Sequence, residues 1–113
     1  MVSIERLIIK LTKENLWLYI LIELSKRPMY AYEISKILKE KYQISVVTVT
    51  TYVVLYKMSK ERLIAQIKEV SSKRPGRKYY AITDKGHSNL EEGKKILQEL
   101  LQKLNEVEPK AEV

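Results

Sequence analysis

The residues of this sequence best suited to chemistry are cationic, and they crowd one short stretch. Lys73, Arg74, Arg77 and Lys78 surround a Pro75-Gly76 turn within S-S-K-R-P-G-R-K-Y-Y-A-I-T-D-K-G, residues 71–86. Four cations so close repel one another, and an anionic partner is what compensates for that cost. Groups for acid–base or covalent catalysis are sparse. His87 is the one histidine, Asp84 the one aspartate, cysteine is absent, and the three glycines form no phosphate-cradling loop. Glu91-Glu92 stands beside Lys94-Lys95 in the pattern of a solvated helix face. Without cysteine there is neither a disulfide scaffold nor a thiolate metal site. The expectation is a binding protein and not an enzyme, with no cofactor and no metal.

At 113 residues, 45% hydrophobic and 31% charged, the chain has the composition of one globular domain. Its formal net charge is +7, which suits nucleic acid or another acidic surface. The charge is uneven. Residues 1–83 hold 16 Lys+Arg against 7 Asp+Glu, net +9, while residues 84–113 hold 5 against 7, net −2. Anion binding is therefore assigned to 1–83 and a different task to 84–113. Glu5 interrupts the apolar residues of the N-terminus, where no small-residue cleavage pattern follows, and the longest apolar run, residues 16–22, is too short for a bilayer. A cytoplasmic location is expected.

The elements that must position the cations follow from periodicity. Ile4, Leu7, Ile8 and Leu11 repeat at helical spacing. Thr12 is expected to cap a second helix, L-W-L-Y-I-L-I-E-L, apolar nearly all round and so central; Pro28 ends it, and a turn follows. A third helix covers 31–42, with Ala31, Ile34, Ile37, Leu38 and Tyr42 on one face. The next run, I-S-V-V-T-V-T-T-Y-V-V-L-Y-K-M-S-K, has the β-branched density of a strand. Its period argues for a helix instead, with Thr48, Thr51, Leu55, Met58 and Arg62 on one face and Thr50, Val53, Lys57 and Lys60 opposite. Residues 63–70 and 78–83 alternate apolar and polar about the basic turn, a β-hairpin. Thr83 can cap the last helix, with Asp84 in its first turn.

That helix carries the most regular pattern of all. Leu90, Gly93, Leu97, Leu100, Leu104 and Val107 are spaced 3, 4, 3, 4, 3, the seam of a coiled coil, with Ile96 and Leu101 widening it. It reads as a homodimer interface in which Gly93 lets a partner helix approach closely; the alternative is a helix that covers its own domain.

After the N-terminal helix, three helices, a hairpin with a basic loop and a further helix follow in the order of a winged helix-turn-helix, mainly α with a small β-hairpin. Three stretches resemble the PadR-like transcriptional regulators. Tyr30-Ala31-Tyr32-Glu33-Ile34 stands where that family has H-G-Y-E-I, and residues 50–64 lie without a gap over T-L-Y-x-x-L-x-x-L-x-x-x-G-L-I. Arg77-Lys78-Tyr79-Tyr80-Ala81-Ile82-Thr83-Asp84-Lys85-Gly86 matches R-K-Y-Y-x-L-T-x-x-G. With the Leu- and Ile-rich helix that leads into the first of them, they cover residues 16–86 in order. Two departures matter: Ala31 replaces a glycine at a helix start, and Arg62 replaces the glycine that ends the recognition helix. Either Arg62 is left-handed or that helix stops near Ser59.

The resemblance implies a DNA-binding domain over 1–83, with its N-terminal helix, and a dimerisation helix over 84–113. Thr48 and Thr50 would meet base edges or phosphates in the major groove, Tyr52 a phosphate or the core border, and Tyr56 and Lys57 the backbone. Thr51 faces the core. Lys73, Arg74, Arg77 and Lys78 form a wing on the backbone or minor groove. A two-fold dimer would read an inverted repeat in double-stranded DNA. Relatives sometimes bind planar aromatic effectors near the dimer axis, which makes Trp17 an effector-site candidate beside its reading as a core or interface tryptophan. The rival to a sequence-specific regulator is a non-specific architectural DNA- or RNA-binding protein, since the recognition helix opens without Arg, Asn or Gln. A winged helix used only for protein contacts fits the basicity less well.

Overall fold

The structure, a computed structural model, describes residues 2–68 and 78–106. Lys73, Arg74, Arg77 and Val107 lie outside the described residues. The chain opens with α1 (Ser3–Leu11), a 3-10 turn (Lys13–Asn15) and α2 (Leu16–Leu24). A short strand β1 (Met29–Tyr30) leads to α3 (Ala31–Tyr42) and α4 (Thr48–Lys60). The hairpin strands are β2 (Ile64–Lys68) and β3 (Lys78–Ile82), and α5 (Asp84–Glu106) follows. This is the winged helix-turn-helix order expected from the sequence.

The core is built around α2. Leu16, Ile20, Leu21 and Leu24 are buried, and around them close Ile34 and Leu38 of α3, Leu55 and Met58 of α4, Tyr80 of β3 and Leu90 of α5. In α4 helical period prevails over β-propensity: Thr51, Leu55 and Met58, spaced four and three apart, are its buried residues. The helix costs each β-branched residue roughly half a kcal/mol relative to alanine. Burying a leucine or methionine returns about 1.5–3 kcal/mol, so packing decides.

Two sequence expectations are corrected. Thr12 does not cap α2: its hydroxyl donates to the Ile8 carbonyl at 2.6 Å. It is thereby committed to closing α1, and α2 begins directly after the 3-10 turn with no side-chain cap at Asn15. The turn after Pro28 contains a strand. Met29 and Tyr30 pair antiparallel with Tyr80 and Tyr79, giving a sheet of order β1-β3-β2. The hairpin register runs from Ile64 opposite Ile82 to Lys68 opposite Lys78.

Among the described residues one charge lies inside. Glu23 on α2 is 5% exposed and accepts hydrogen bonds from Lys41 Nζ at 2.9 Å, from Lys26 Nζ at 3.3 Å and from the Tyr42 hydroxyl. The group ties α2 to the end of α3. Burial pushes the Glu23 carboxyl up, but the hydrogen bonds from Tyr42, Lys41 and Lys26 outweigh it and hold the pKa below its ordinary 4.5. Burial, then Glu23, pushes the Tyr42 phenol up to about 12, so it remains a donor.

Apolar surface is left over at both ends of the chain. Ile4, Leu7, Ile8 and Leu11 of α1 are exposed, as are Ile96, Leu97, Leu100, Leu101 and Leu104 of α5. Among the described residues no helix is long and apolar enough to cross a membrane.

A carboxyl whose folded pKa is depressed contributes stability that is present above its unfolded pKa and lost as pH falls through the folded value. Glu23→Gln is expected to destabilise the protein by about 2 kcal/mol at pH 7. In denaturant titrations across pH the gap between variant and parent should close below the ordinary 4.5. A gap that persists undiminished in acid would show that shape and not charge holds the two helices.

Candidate nucleic-acid interface

The interface is assembled from α3, α4 and the hairpin. At the start of α3, Glu33 accepts the Tyr30 N–H at 3.2 Å and pairs with Arg27 at 3.0 Å. The helix ends at Gln43, which takes the left-handed conformation (φ 57°), and the Ile44 N–H closes back on the Leu38 carbonyl at 2.9 Å. After this turn α4 packs across α3 through a polar link: Ser35 donates to Thr51 Oγ1 at 2.8 Å, and Thr51 is wholly buried. A directional bond in a dry contact fixes rotation about the helix axis more narrowly than apolar packing does. Thr51 faces inward, as the sequence implied.

With Thr51, Leu55 and Met58 inward, the 3.6-residue period turns Val49, Val53, Tyr56 and Lys60 directly outward. Val47 and Val49 are each 70% exposed and Val53 46%. Of the five residues singled out on this helix, Thr48, Tyr52, Tyr56 and Lys57 are exposed, while Thr50 is half-buried. Sequence reasoning missed the valines because it sought hydrogen-bonding groups. The signal was nonetheless present, since the period that sends Thr51 and Leu55 inward sends Val49 and Val53 out. Lys60 Nζ lies 5.4 Å from the Tyr56 ring centroid, a cation–π contact at the far end of the face.

Beside this face a cleft of about 610 Å³ separates α3 from the start of α4, lined by Tyr32, Lys36, Lys39, Ser45, Val47 and Thr48 among others. Tyr32 is exposed and stacks on Tyr30 at 6.4 Å between centroids, and Tyr30 meets Tyr79 of β3 edge-on at 5.5 Å. Both lysines are exposed. These α3 residues were not anticipated as site residues. They extend the positive surface of α4 across the neighbouring helix.

The end of α4 decides where the hairpin goes. Arg62 is left-handed (φ 64°), the first of the two alternatives at this position. The Arg62 N–H donates to the Ser59 carbonyl and the Leu63 N–H to the Met58 carbonyl, both at 3.0 Å. This double closure is the Schellman arrangement, usually built on glycine. The chain emerges directly into β2. Thr83, at the opposite end of the hairpin, donates from its N–H to the Leu63 carbonyl at 3.1 Å, and its hydroxyl lies 2.7 Å from the Arg62 carbonyl. The same hydroxyl accepts the Gly86 N–H at 3.0 Å, so Thr83 caps α5 as expected. Lys85 donates to the Glu61 carbonyl at 2.9 Å. Lys78, the one described wing cation, is exposed where β3 begins.

In α5 the seam residues divide. Leu90 is buried in the core of its own protomer. Gly93 faces Trp17 and Leu18 of α2: a Cβ there would stand 3.0 Å from both. The close approach expected of a partner helix is made inside the chain, because α5 crosses α2 at this point. Leu97, Leu100 and Leu104 remain exposed. Trp17 is half-buried, its Nε1 3.2 Å from Asn15 Oδ1. With Leu11, Leu18, Glu92, Gly93 and Leu97 it helps to line a mainly apolar cavity of about 380 Å³.

A family model described as the transcriptional regulator PadR-like family matches residues 20–92. No curated protein matches the chain. Among solved structures, a PadR-like transcriptional regulator from Bacillus cereus is 38% identical over 84% of this chain and 92% of its own, with a TM-score of 0.69. A PadR-like transcription factor from Bacteroides fragilis is 32% identical over 91% of this chain and 99% of its own, with a TM-score of 0.75. Bacillus subtilis PadR, solved in complex with operator DNA, is 25% identical over 72% of this chain and 47% of its own, with a TM-score of 0.62.

A left-handed non-glycine residue costs roughly 1–2 kcal/mol, partly offset in a glycine variant by the greater freedom of its unfolded chain. Arg62→Gly should therefore stabilise the protein by on the order of 0.5–1 kcal/mol, read as a rise of a few degrees in Tm. A fall in Tm would mean that the Arg62 side chain contributes more to the fold than its backbone geometry costs.

Proposed function

This chain belongs to the PadR-like family of transcriptional regulators, and from that premise we propose that it is a cytoplasmic homodimer that binds a specific operator in double-stranded DNA. The observation that carries the proposal is the outward face of α4. The inner face is locked to α3 by packing and by the Ser35–Thr51 bond. The outer face is left to solvent, with Lys36 and Lys39 on one flank and Lys57 and Lys60 toward its end. A helix held so, with cations around it, suits the major groove.

In this reading Thr48 and Tyr52 lie at the leading end of α4 against bases and the nearest phosphates, with Thr50 at its edge, and Tyr56 and Lys57 follow the backbone. Lys73, Arg74, Arg77 and Lys78 form the wing, whose contribution is electrostatic and driven by counterion release. Leu97, Leu100 and Leu104, continuing to Val107, form the dimer seam. The exposed apolar stripe of α1 supports that reading, because a monomer would leave both apolar helix faces in water. Leu90 and Gly93 serve the protomer that carries them. The cavity beside Trp17 adjoins this seam through Leu97. A small planar aromatic effector there would stack on the indole, so that its binding quenches Trp17 fluorescence.

Selection from a random duplex pool at near-physiological salt should enrich an inverted repeat with half-sites about one helical turn apart. The protein should bind it at least about a thousandfold tighter than a scrambled duplex. Equal, salt-sensitive binding to every duplex would replace this reading with the architectural one, to which the absence of Arg, Asn and Gln from α4 lends weight. Leu97→Glu combined with Leu104→Glu should give folded monomers in sedimentation with weakened operator binding. A dimer that survives both changes would place the interface elsewhere.

A further inference from the structure

The side chains that α4 presents outward are the wrong kind for reading bases by paired hydrogen bonds. Thr48–Lys60, T-V-T-T-Y-V-V-L-Y-K-M-S-K, contains no Arg, Asn, Gln, Asp or Glu, and both of its lysines fall in the last turn. Bidentate recognition of guanine or adenine is therefore unavailable at the leading end, where a recognition helix meets base edges. Apolar, β-branched groups stand there instead: Val47 and Val49, each 70% exposed, and Val53, 46% exposed. These residues are poor choices for a solvated helix surface. Valine weakens a helix relative to alanine, and its methyl groups gain nothing in water. Their placement becomes favourable if the partner surface carries apolar groups at matching depth.

On the base edges of the major groove one group is apolar, the 5-methyl of thymine. We propose that α4 reads its operator chiefly through thymine 5-methyl groups, met by Val49 and Val53 with Val47 and the Thr48 methyl beside them. This rests on the DNA-binding reading above and adds the chemical class of the sequence read: half-sites with thymines under the first two turns of α4. The lysines around the face supply phosphate contacts, which hold the helix in the groove but carry no sequence information. The valines then discriminate by burial. A base without the methyl leaves valine methyls against polar edges, and each thymine methyl removed weakens binding by roughly fourfold, the factor expected of one buried methylene.

The test replaces thymine by uracil in the operator obtained by selection. This removes the 5-methyl and keeps every hydrogen-bonding group in the groove. Uracil under α4 should weaken binding by roughly fourfold per position, while uracil outside the half-sites should change nothing. Val49→Ala and Val53→Ala, which favour the helix, should weaken binding to the thymine operator and shrink the preference for thymine over uracil. Circular dichroism checks that both variants are folded. Equal affinity for thymine and uracil operators, with scrambled DNA still rejected, would overturn methyl reading and leave the regulator role standing. Loss of preference between operator and scramble would overturn both. Unaltered DNA binding by both valine variants would also overturn it and would assign the exposed valines to a protein partner.

Discussion

One carbonyl group, that of Leu63, is the point on which the arrangement of α4, the hairpin and α5 depends. It accepts the Thr83 N–H at 3.1 Å and lies 3.0 Å from the Thr83 hydroxyl. A Cβ on Gly86 would overlap its oxygen. Three elements thus converge on one backbone position. The left-handed Arg62 delivers the end of α4 to it, β3 ends against it, and α5 starts within van der Waals reach. Backbone atoms cannot yield as the tip of a lysine can, so glycine is required at position 86 by space and not by dihedral freedom. The hydrogen bonds fix distance, the close approach fixes direction, and the Schellman closure fixes the exit from α4.

The rest of the molecule divides its apolar residues between two uses. Those of α2, of the inner faces of α3 and α4, and of the sheet are consumed in the core. Those of α1 and of α5 beyond Gly93 are left to solvent within the protomer. The division falls where α5 leaves α2, at the contact of Gly93 with Trp17 and Leu18. The charge reverses at the start of α5, net +9 over residues 1–83 and −2 over residues 84–113. In the proposed dimer the cationic part faces DNA and the apolar remainder faces a second copy.

The fold was legible in the sequence to the extent that it followed from local period. All five helices and the hairpin were, including α4, because Thr51, Leu55 and Met58 kept helical spacing through a β-branched run. Features that depend on distant partners were not. Strand β1 is two residues long and exists because β3 offers a free edge to Met29 and Tyr30, so no alternation could announce it. Gly93 belonged to a regular heptad and was read with it. Its nearest neighbours, Trp17 and Leu18, come from the opposite end of the chain, and spacing along one helix holds no information about them. Within the candidate interface, Thr48, Tyr52, Tyr56 and Lys57 were singled out by their chemistry, and all four are exposed on α4. Val49 and Val53 were passed over because hydroxyl and ammonium groups suggest readers of DNA more readily than methyl groups do.

At about 1.5 Å per residue, the 23 residues of α5 make an arm roughly 34 Å long. Its root is clamped at Gly86, and its far half, from Lys94 onward, is exposed within the protomer. Such an arm has leverage: a tilt of about 10° at the root carries the tip some 6 Å sideways, on the order of one helical turn given that rise. The distance between the two α4 helices of a dimer joined at such tips is accordingly geared to a contact only a few atoms across. In the proposed dimer, small changes at the root of α5 would alter the separation of two half-sites while every residue that faces DNA stays the same.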